Sequence, residues 1–271
     1  MAPRHILRRL PEALASAVLL LAMALAAPAA RALTEAEVGA KLDTILMLMV
    51  VDDKGQPRAL KLNVDGRSLN AYLGAMSISA ADAITAGKSY GLSPQEAAAL
   101  RFAPVSLARF NMLLEPLLKA EPQDVGVIAP DPDQIPAAEK LLIAQKVAPD
   151  EARRIAALQP MVFCPEPGLL VSFNEGPDKS KSFVPCSTEA AFVEGIVQRS
   201  IKESTKIASL KPRVLAIPLN GFIAFLRKEP EAKVGQLRVL SSGRMVTLIQ
   251  EITRQRSAPA VQPAAPSTRQ P

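Results

Sequence analysis

The chain has 271 residues, 49% of them hydrophobic and 4% aromatic, enough for one sizeable core or two small ones. Its formal charge of +6 comes from its ends. Residues 1–32 hold four Arg against one Glu and three Arg follow from Arg254 onward, leaving 25 basic and 25 acidic residues between. Nucleic-acid binding needs clustered Lys and Arg to displace counterions, so a neutral body excludes that partner class. The one histidine is His5, and there is no Trp. If the N-terminus is removed, Ser-His-Asp and Cys-His nucleophiles and His-ligated metal sites are excluded as well.

Arg4, Arg8 and Arg9 precede a thirteen-residue apolar run, Ala15 to Ala27, and then Ala30-Arg31-Ala32. A positive start, a short apolar stretch and a small-residue cleavage site make a secretory signal. The run is too short to span a bilayer, which takes about twenty residues. Residues 1–32 are therefore expected to be cleaved, giving an exported, soluble chain from Leu33 with no transmembrane segment. Export to an oxidising compartment bears on Cys164 and Cys186. Two readings stand, a disulfide or two separate buried thiols. No C-x-x-C occurs, so thioredoxin-type redox chemistry has no motif to rest on.

The rest repeats with a period of about 112 residues, longer than a solenoid unit. The first half, residues 33–147, opens on a capping box, Thr34 with Glu37, before a helix carrying Val38 and Leu42. An apolar run from Ile45 to Val51 reads as a strand ended by Asp52-Asp53-Lys54-Gly55, and residues 58–64 and 71–78 read as two more. Ser79 to Asp82 reads as a helix cap, and Ser93-Pro94-Gln95-Glu96 as a second capping box with Pro at the first helical position. Pro104 to Leu107 leads into a helix with Phe110, Leu113 and Leu114. Val125 to Ile128 then precedes a helix with Ala138, Leu141 and Leu142.

The second half, residues 148–254, follows the same plan. Pro149 and Asp150 start a helix, Met161 to Cys164 form a strand, and Leu169–Phe173 and Ser182–Cys186 follow. Ser187 to Ala190 matches the cap at Ser79. Ile217 to Asn220 leads into a helix with Phe222, Phe225 and Leu226, and Leu237 to Leu240 precedes one with Met245, Leu248 and Ile249. Each half thus reads as a helix, three strands, then helix, strand, helix, strand, helix. The fold class is α+β, two pseudo-symmetric halves, each a small sheet packed with helices, in one two-lobed molecule. Residues 255–271, rich in Ala and Pro, read as a disordered tail.

No phosphate-cradling glycine loop occurs. Asp52-Asp53 and Asp131-Pro132-Asp133 suit turns and helix caps better than a cation site, which needs more oxygen ligands. Methionine is polarizable and flexible and suits promiscuous apolar surfaces. Met47 and Met49 share one strand face, since side chains two apart point the same way, while Leu46, Leu48 and Val50 make the other face equally apolar. Such a strand is either sandwiched on both sides or open to a ligand on one. Met47 and Met49 are accordingly a hint of a hydrophobic groove.

Several stretches resemble the family of the twenty-two-kilodalton subunit of the chloroplast inner-envelope translocon and its cyanobacterial relatives. They are the apolar strand with Asp52-Asp53-Lys54-Gly55-Gln56-Pro57, the Pro104-Val105-Ser106-Leu107 helix entry, the run from Val127 to Ile135, and Pro160-Met161-Val162-Phe163. The first half carries Leu-Met-Leu-Met where the family favours Pro-Val-Phe, and the Ala-rich leader points to a cyanobacterial type. The resemblance implies a two-lobed, non-enzymatic, chaperone-like factor in protein transport and outer-membrane biogenesis, with no cofactor and no catalytic residue. It implies a periplasmic location, the thylakoid lumen being the alternative. Its partners would be unfolded outer-membrane or precursor proteins and the outer-membrane barrel insertase, with Met47, Met49, Met76, Val162 and Phe163 as the candidate polypeptide contacts. The rivals are a non-catalytic docking subunit of a membrane machine and a carboxylate-based periplasmic hydrolase. Deleting residues 257–271 is expected to leave the melting temperature unchanged, and a clear drop would refute the reading of a disordered tail.

Overall fold

The computed structural model describes residues 31–64, 67–86, 90–172 and 182–257. The expected leader up to residue 30 and the tail from 258 lie outside them. The first half runs α1 (Glu35–Leu42), β1 (Leu46–Val51), β2 (Ala59–Val64), β3 (Arg67–Ala75), α2 (Ile78–Thr85), α3 (Pro94–Ala98), β4 (Arg101–Ser106), α4 (Leu107–Ala120), β5 (Val125–Ala129) and α5 (Ile135–Ala144). The second runs α6 (Pro149–Leu158), β6 (Met161–Glu166), β7 (Val171–Ser172), β8 (Ser182–Ser187), α7 (Ala190–Glu203), α8 (Thr205–Ser209), β9 (Arg213–Pro218), α9 (Leu219–Lys228), α10 (Glu231–Val234), β10 (Leu237–Leu240) and α11 (Gly243–Ser257). From β4 onward the match is in register, because β4 and β9, α4 and α9, and β5 and β10 each begin 112 residues apart.

Local chemistry sets the helix starts. Thr34 and Ser93 each accept the N–H three residues on, and the carboxylates of Glu37 and Glu96 return to the cap N–H, so two otherwise orphaned donors are satisfied at each start. Hydrogen bonds from Thr34 and Arg31 hold the Glu37 carboxyl down at about 2. The cap of α2 is Ser77, two residues before the Ser79 expected from the sequence. Ser77 is the extended residue whose hydroxyl accepts from Ala80 N–H at 3.0 Å, whereas Ser79 bonds the carboxylate of Asp133. Helix α11 reaches Ser257, three residues into the segment read as tail. At the other end, Arg31 and Ala32 are tied to the second half: Glu231 N–H donates to Arg31 O at 2.7 Å, and Ala32 bridges to Pro230.

Both sheets have the same topology. In the first, β1 pairs antiparallel with β3 and β4, β2 pairs antiparallel with β3, and β5 runs parallel to β3. In the second, β6 pairs antiparallel with β8 and β9, β7 pairs antiparallel with β8, and β10 runs parallel to β8. The strands differ from the expected ones mainly at their ends, with β3 starting at Arg67 rather than 71 and β7 shrinking to two residues.

Three apolar clusters hold the molecule together. The central one joins the inner faces of both halves, Met47, Met49, Phe110 and Leu114 from the first and Val162, Cys164, Phe222 and Leu226 from the second. The outer face of the first sheet carries Leu48, Val50 and Leu73 and is covered by α2 and by Met245 of α11. The outer face of the second carries Met161 and Phe163 and is covered by α6, α7 and by Ala138 and Leu142 of α5. Each half thus lends its last helix to the other's sheet. No helix among the described residues is long and apolar enough to cross a membrane.

Cys164 and Cys186 form a disulfide between the neighbouring strands β6 and β8, with Cα atoms 4.3 Å apart. The bridge lies within the central cluster and closes a loop across a separation of 22 residues. Converting both to Ala is expected to lower unfolding stability by about 2–4 kcal/mol, chiefly by freeing the unfolded chain. Urea denaturation checks this, and an unmoved midpoint would refute it.

Candidate functional site

The five candidate contacts from the sequence lie inside the protein. Met47 and Phe163 are fully buried, and Met49, Met76 and Val162 are at most 4% exposed. The reason is the layered packing. Strand β1 lies between β3 and β4, with Met47 and Met49 in the central cluster and Leu48 and Val50 under α2 and α11. Of the two readings of this strand, sandwiched or open on one face, the first holds. Met47 packs so closely over Gly74 that a Cβ there would come within 2.2 Å of its Cε. The folded surface therefore presents other residues.

A groove of about 690 Å³ with largely apolar walls lies between α4, α9 and the end of α6. Helices α4 and α9 are the equivalent helices of the two halves, each leaving its strand directly. Ser106 caps α4 by accepting from Arg109 N–H at 3.1 Å. Their inward residues, Phe110 and Phe222, belong to the central core. The next residues round each helix, Asn111 and Met112 on α4 and Asn220 and Ile223 on α9, line the groove, while Gly126, Val127 and Ile128 of β5 and Leu158 to Pro160 form its floor and far wall. Met112 is 53% exposed and Leu158 65%. A Cβ at Gly126 would come within 2.9 Å of Leu114 Cδ1, so glycine lets β5 sit against α4. A second depression, about 280 Å³, flanks β5 on the α2 side. It shares Val127, Ile128 and Leu158 with the first and adds Tyr90, Pro132 and Ile135.

The charges nearby are engaged at the rim. Arg227 pairs with Glu35 at 3.0 Å and Glu115 with Lys119 at 2.7 Å. Burial pushes the Tyr90 phenol up. Asp131 is also pushed up by burial, but its carboxylate accepts from Asp133 N–H at 3.0 Å, and Asp133 is bonded to Ser79. The acid pair is thus built into a helix start, as its spacing suggested, and does not face a shared cavity as two catalytic carboxylates would. Among the described residues no group of His, Cys, Asp or Glu is placed to hold a metal ion.

Sequence reasoning missed Met112 and Leu158 as surface. On α4 the buried stripe is Leu107, Phe110 and Leu114, and on α6 it is Ala152 and Ala156. Both missed residues lie off those stripes. Apolar residues off the main stripe are the periodicity signal that would have found them.

No family model matches the sequence, and no curated protein does either. Two solved structures share the fold. Tic22 of Anabaena, described as a protein-transport protein, superposes with a TM-score of 0.60 at 16% identity, over 85% of this chain and 99% of its own. Tic22 of Plasmodium falciparum does so with a TM-score of 0.57 at 10% identity, over 80% and 98%. The likeness spans nearly the whole of both relatives and at least 80% of this chain, and at these identities it establishes architecture: the chain has the Tic22 fold.

Proposed function

We propose that this chain is a Tic22-like factor of protein transport, working in the periplasm as a non-catalytic holdase or escort for unfolded outer-membrane polypeptides. The observation that carries the proposal is the pair of apolar depressions around β5, with Met112 and Leu158 exposed on their walls. Unfolded chains share apolar side chains and an unpaired backbone, so a receptor for many of them relies on broad apolar contact and main-chain groups rather than on a fixed set of side-chain hydrogen bonds. The groove has that character, and its one sulfur-bearing wall residue is adaptable. The Tic22 structures of like fold support a transport role, and the leader supports export.

The test uses the chain from Leu33 to Pro271 and an outer-membrane barrel protein diluted from urea, followed by light scattering. Near-stoichiometric suppression of aggregation is expected. The double substitution Met112→Asp with Leu158→Asp is expected to raise the concentration needed several-fold, without loss of melting temperature because both side chains are exposed. Leu210→Asp, which alters a residue equally exposed at 55% but outside the depressions, is expected to behave as the parent. Unchanged scattering with the parent chain would refute the holdase and favour a docking subunit that binds a folded membrane partner.

A further inference from the structure

A sheet edge is a row of backbone donors and acceptors seeking partners, and folded proteins block it with charge, proline, short length or a covering element. The two sheets here treat their edges unequally. Strand β10 is covered by α1 and the turn after it: Lys41 Nζ donates to the carbonyls of Gly235 at 2.7 Å and Leu237 at 2.9 Å, and Thr44 Oγ1 to that of Val239 at 3.0 Å. Strand β9 is capped by one amide, Gln145, which accepts from Ala216 N–H at 2.7 Å and donates to Ala216 O at 3.1 Å. Strand β4 carries Arg101 and Pro104, β2 carries Lys61, and β7 is two residues long.

Strand β5, Val125-Gly126-Val127-Ile128-Ala129, carries no charge and no proline, and although Ala129 at its end is buried, no further strand among the described residues pairs with it. It is the counterpart of β10 and pairs with β3 along one edge only. Among the described residues no side chain hydrogen-bonds its backbone. Helix α6, the counterpart of α1, does not close over it. Instead, the end of α6 at Leu158 stands across the groove, and depressions open on both faces of the strand.

We infer that the free edge of β5 takes an extended, apolar polypeptide segment of about five residues as an added strand. This inference rests on the holdase reading and names how the client is held. An edge strand calls for a backbone partner. A lipid tail has no such groups, and a helix spends its own internally. Successive side chains of an added strand point to opposite faces. One set meets Leu118 and Ile223 in the larger groove, the other Tyr90 and Pro132 in the smaller. The edge therefore selects segments apolar at every position, such as the interior strands of an unfolded protein, over segments alternating apolar and charged.

The probe is a fluorescein-labelled octapeptide of Val, Ile and Phe, with two twins, one N-methylated at its odd residues only and one at odd and even residues alike. The first keeps the donors of one edge, which it can turn toward β5 because both its faces are apolar, and the second keeps none. Anisotropy with the chain from Leu33 to Pro271 is expected to show the fully methylated twin binding about tenfold more weakly than the parent peptide and the half-methylated one binding like it, since one edge is enough to pair with β5. The parent peptide is expected to displace an unfolded barrel client, and Ile128→Asp to abolish peptide binding with the circular dichroism spectrum kept. Equal binding by all three peptides, or equal loss by both twins, would overturn the added strand. So would suppression of client aggregation with no peptide binding, which leaves the holdase reading standing. A dimer that Ile128→Asp dissociates would place a second copy on the edge and overturn the inference too. Absence of both peptide binding and suppression is the separate failure of the holdase reading itself.

Discussion

The structure depends on one constraint: its central strands are apolar on both faces, and neither face can be left to water. Burying a large aliphatic or methionine side chain contributes about 1.5–3 kcal/mol. Strand β1 places five of its six residues below one-tenth exposure, and β6 does the same. A strand of this kind needs a layer above and a layer below. The inner layer is the shared core, where Phe110 and Leu114 meet Phe222 and Leu226 between the sheets. The outer layer comes partly from the opposite half, α11 over the first sheet and α5 over the second. This exchange ties the halves together in one molecule, because removing either half uncovers a sheet of the other.

The polar bonds follow the same division. Buried or half-buried backbone groups must find partners, and at the junction of the halves they find side chains some 195 residues away. Lys41 and Thr44 serve the carbonyls of β10 and its approach, and Ser241 Oγ accepts from Leu46 N–H at 2.7 Å. Burial pushes the Lys41 ammonium down from its ordinary range, a cost offset by its two carbonyl partners. The equivalent place in the other half lacks such a lysine, and there the groove lies open. The asymmetry arises from side-chain choice, since the strand orders are identical.

Much of the fold was legible because its signals are local. The capping boxes at Thr34 and Ser93, the Asp52–Gly55 turn and the 112-residue offset between Phe110 and Phe222 each depend on residues close in sequence or on a direct comparison of two stretches. The shift of the α2 cap from Ser79 to Ser77 shows the limit of such signals. Both serines precede a helical pattern, and it was the tertiary bond to Asp133, 54 residues away, that occupied the second.

The exposed apolar surface was less legible for a physical reason. Hydrophobicity says that a side chain avoids water without saying what covers it. Met47, Met49 and Phe163 and the exposed Met112 and Leu158 are alike by composition, and only the arrangement of layers separates them. Local patterns were enough to read an α+β chain of two like halves, with an apolar strand opening each sheet and no imidazole beyond His5. Only the three-dimensional packing shows which apolar faces close on one another, that Cys164 meets Cys186, and that among the described residues β5 pairs with β3 alone, because each depends on how distant segments meet, which no local pattern encodes.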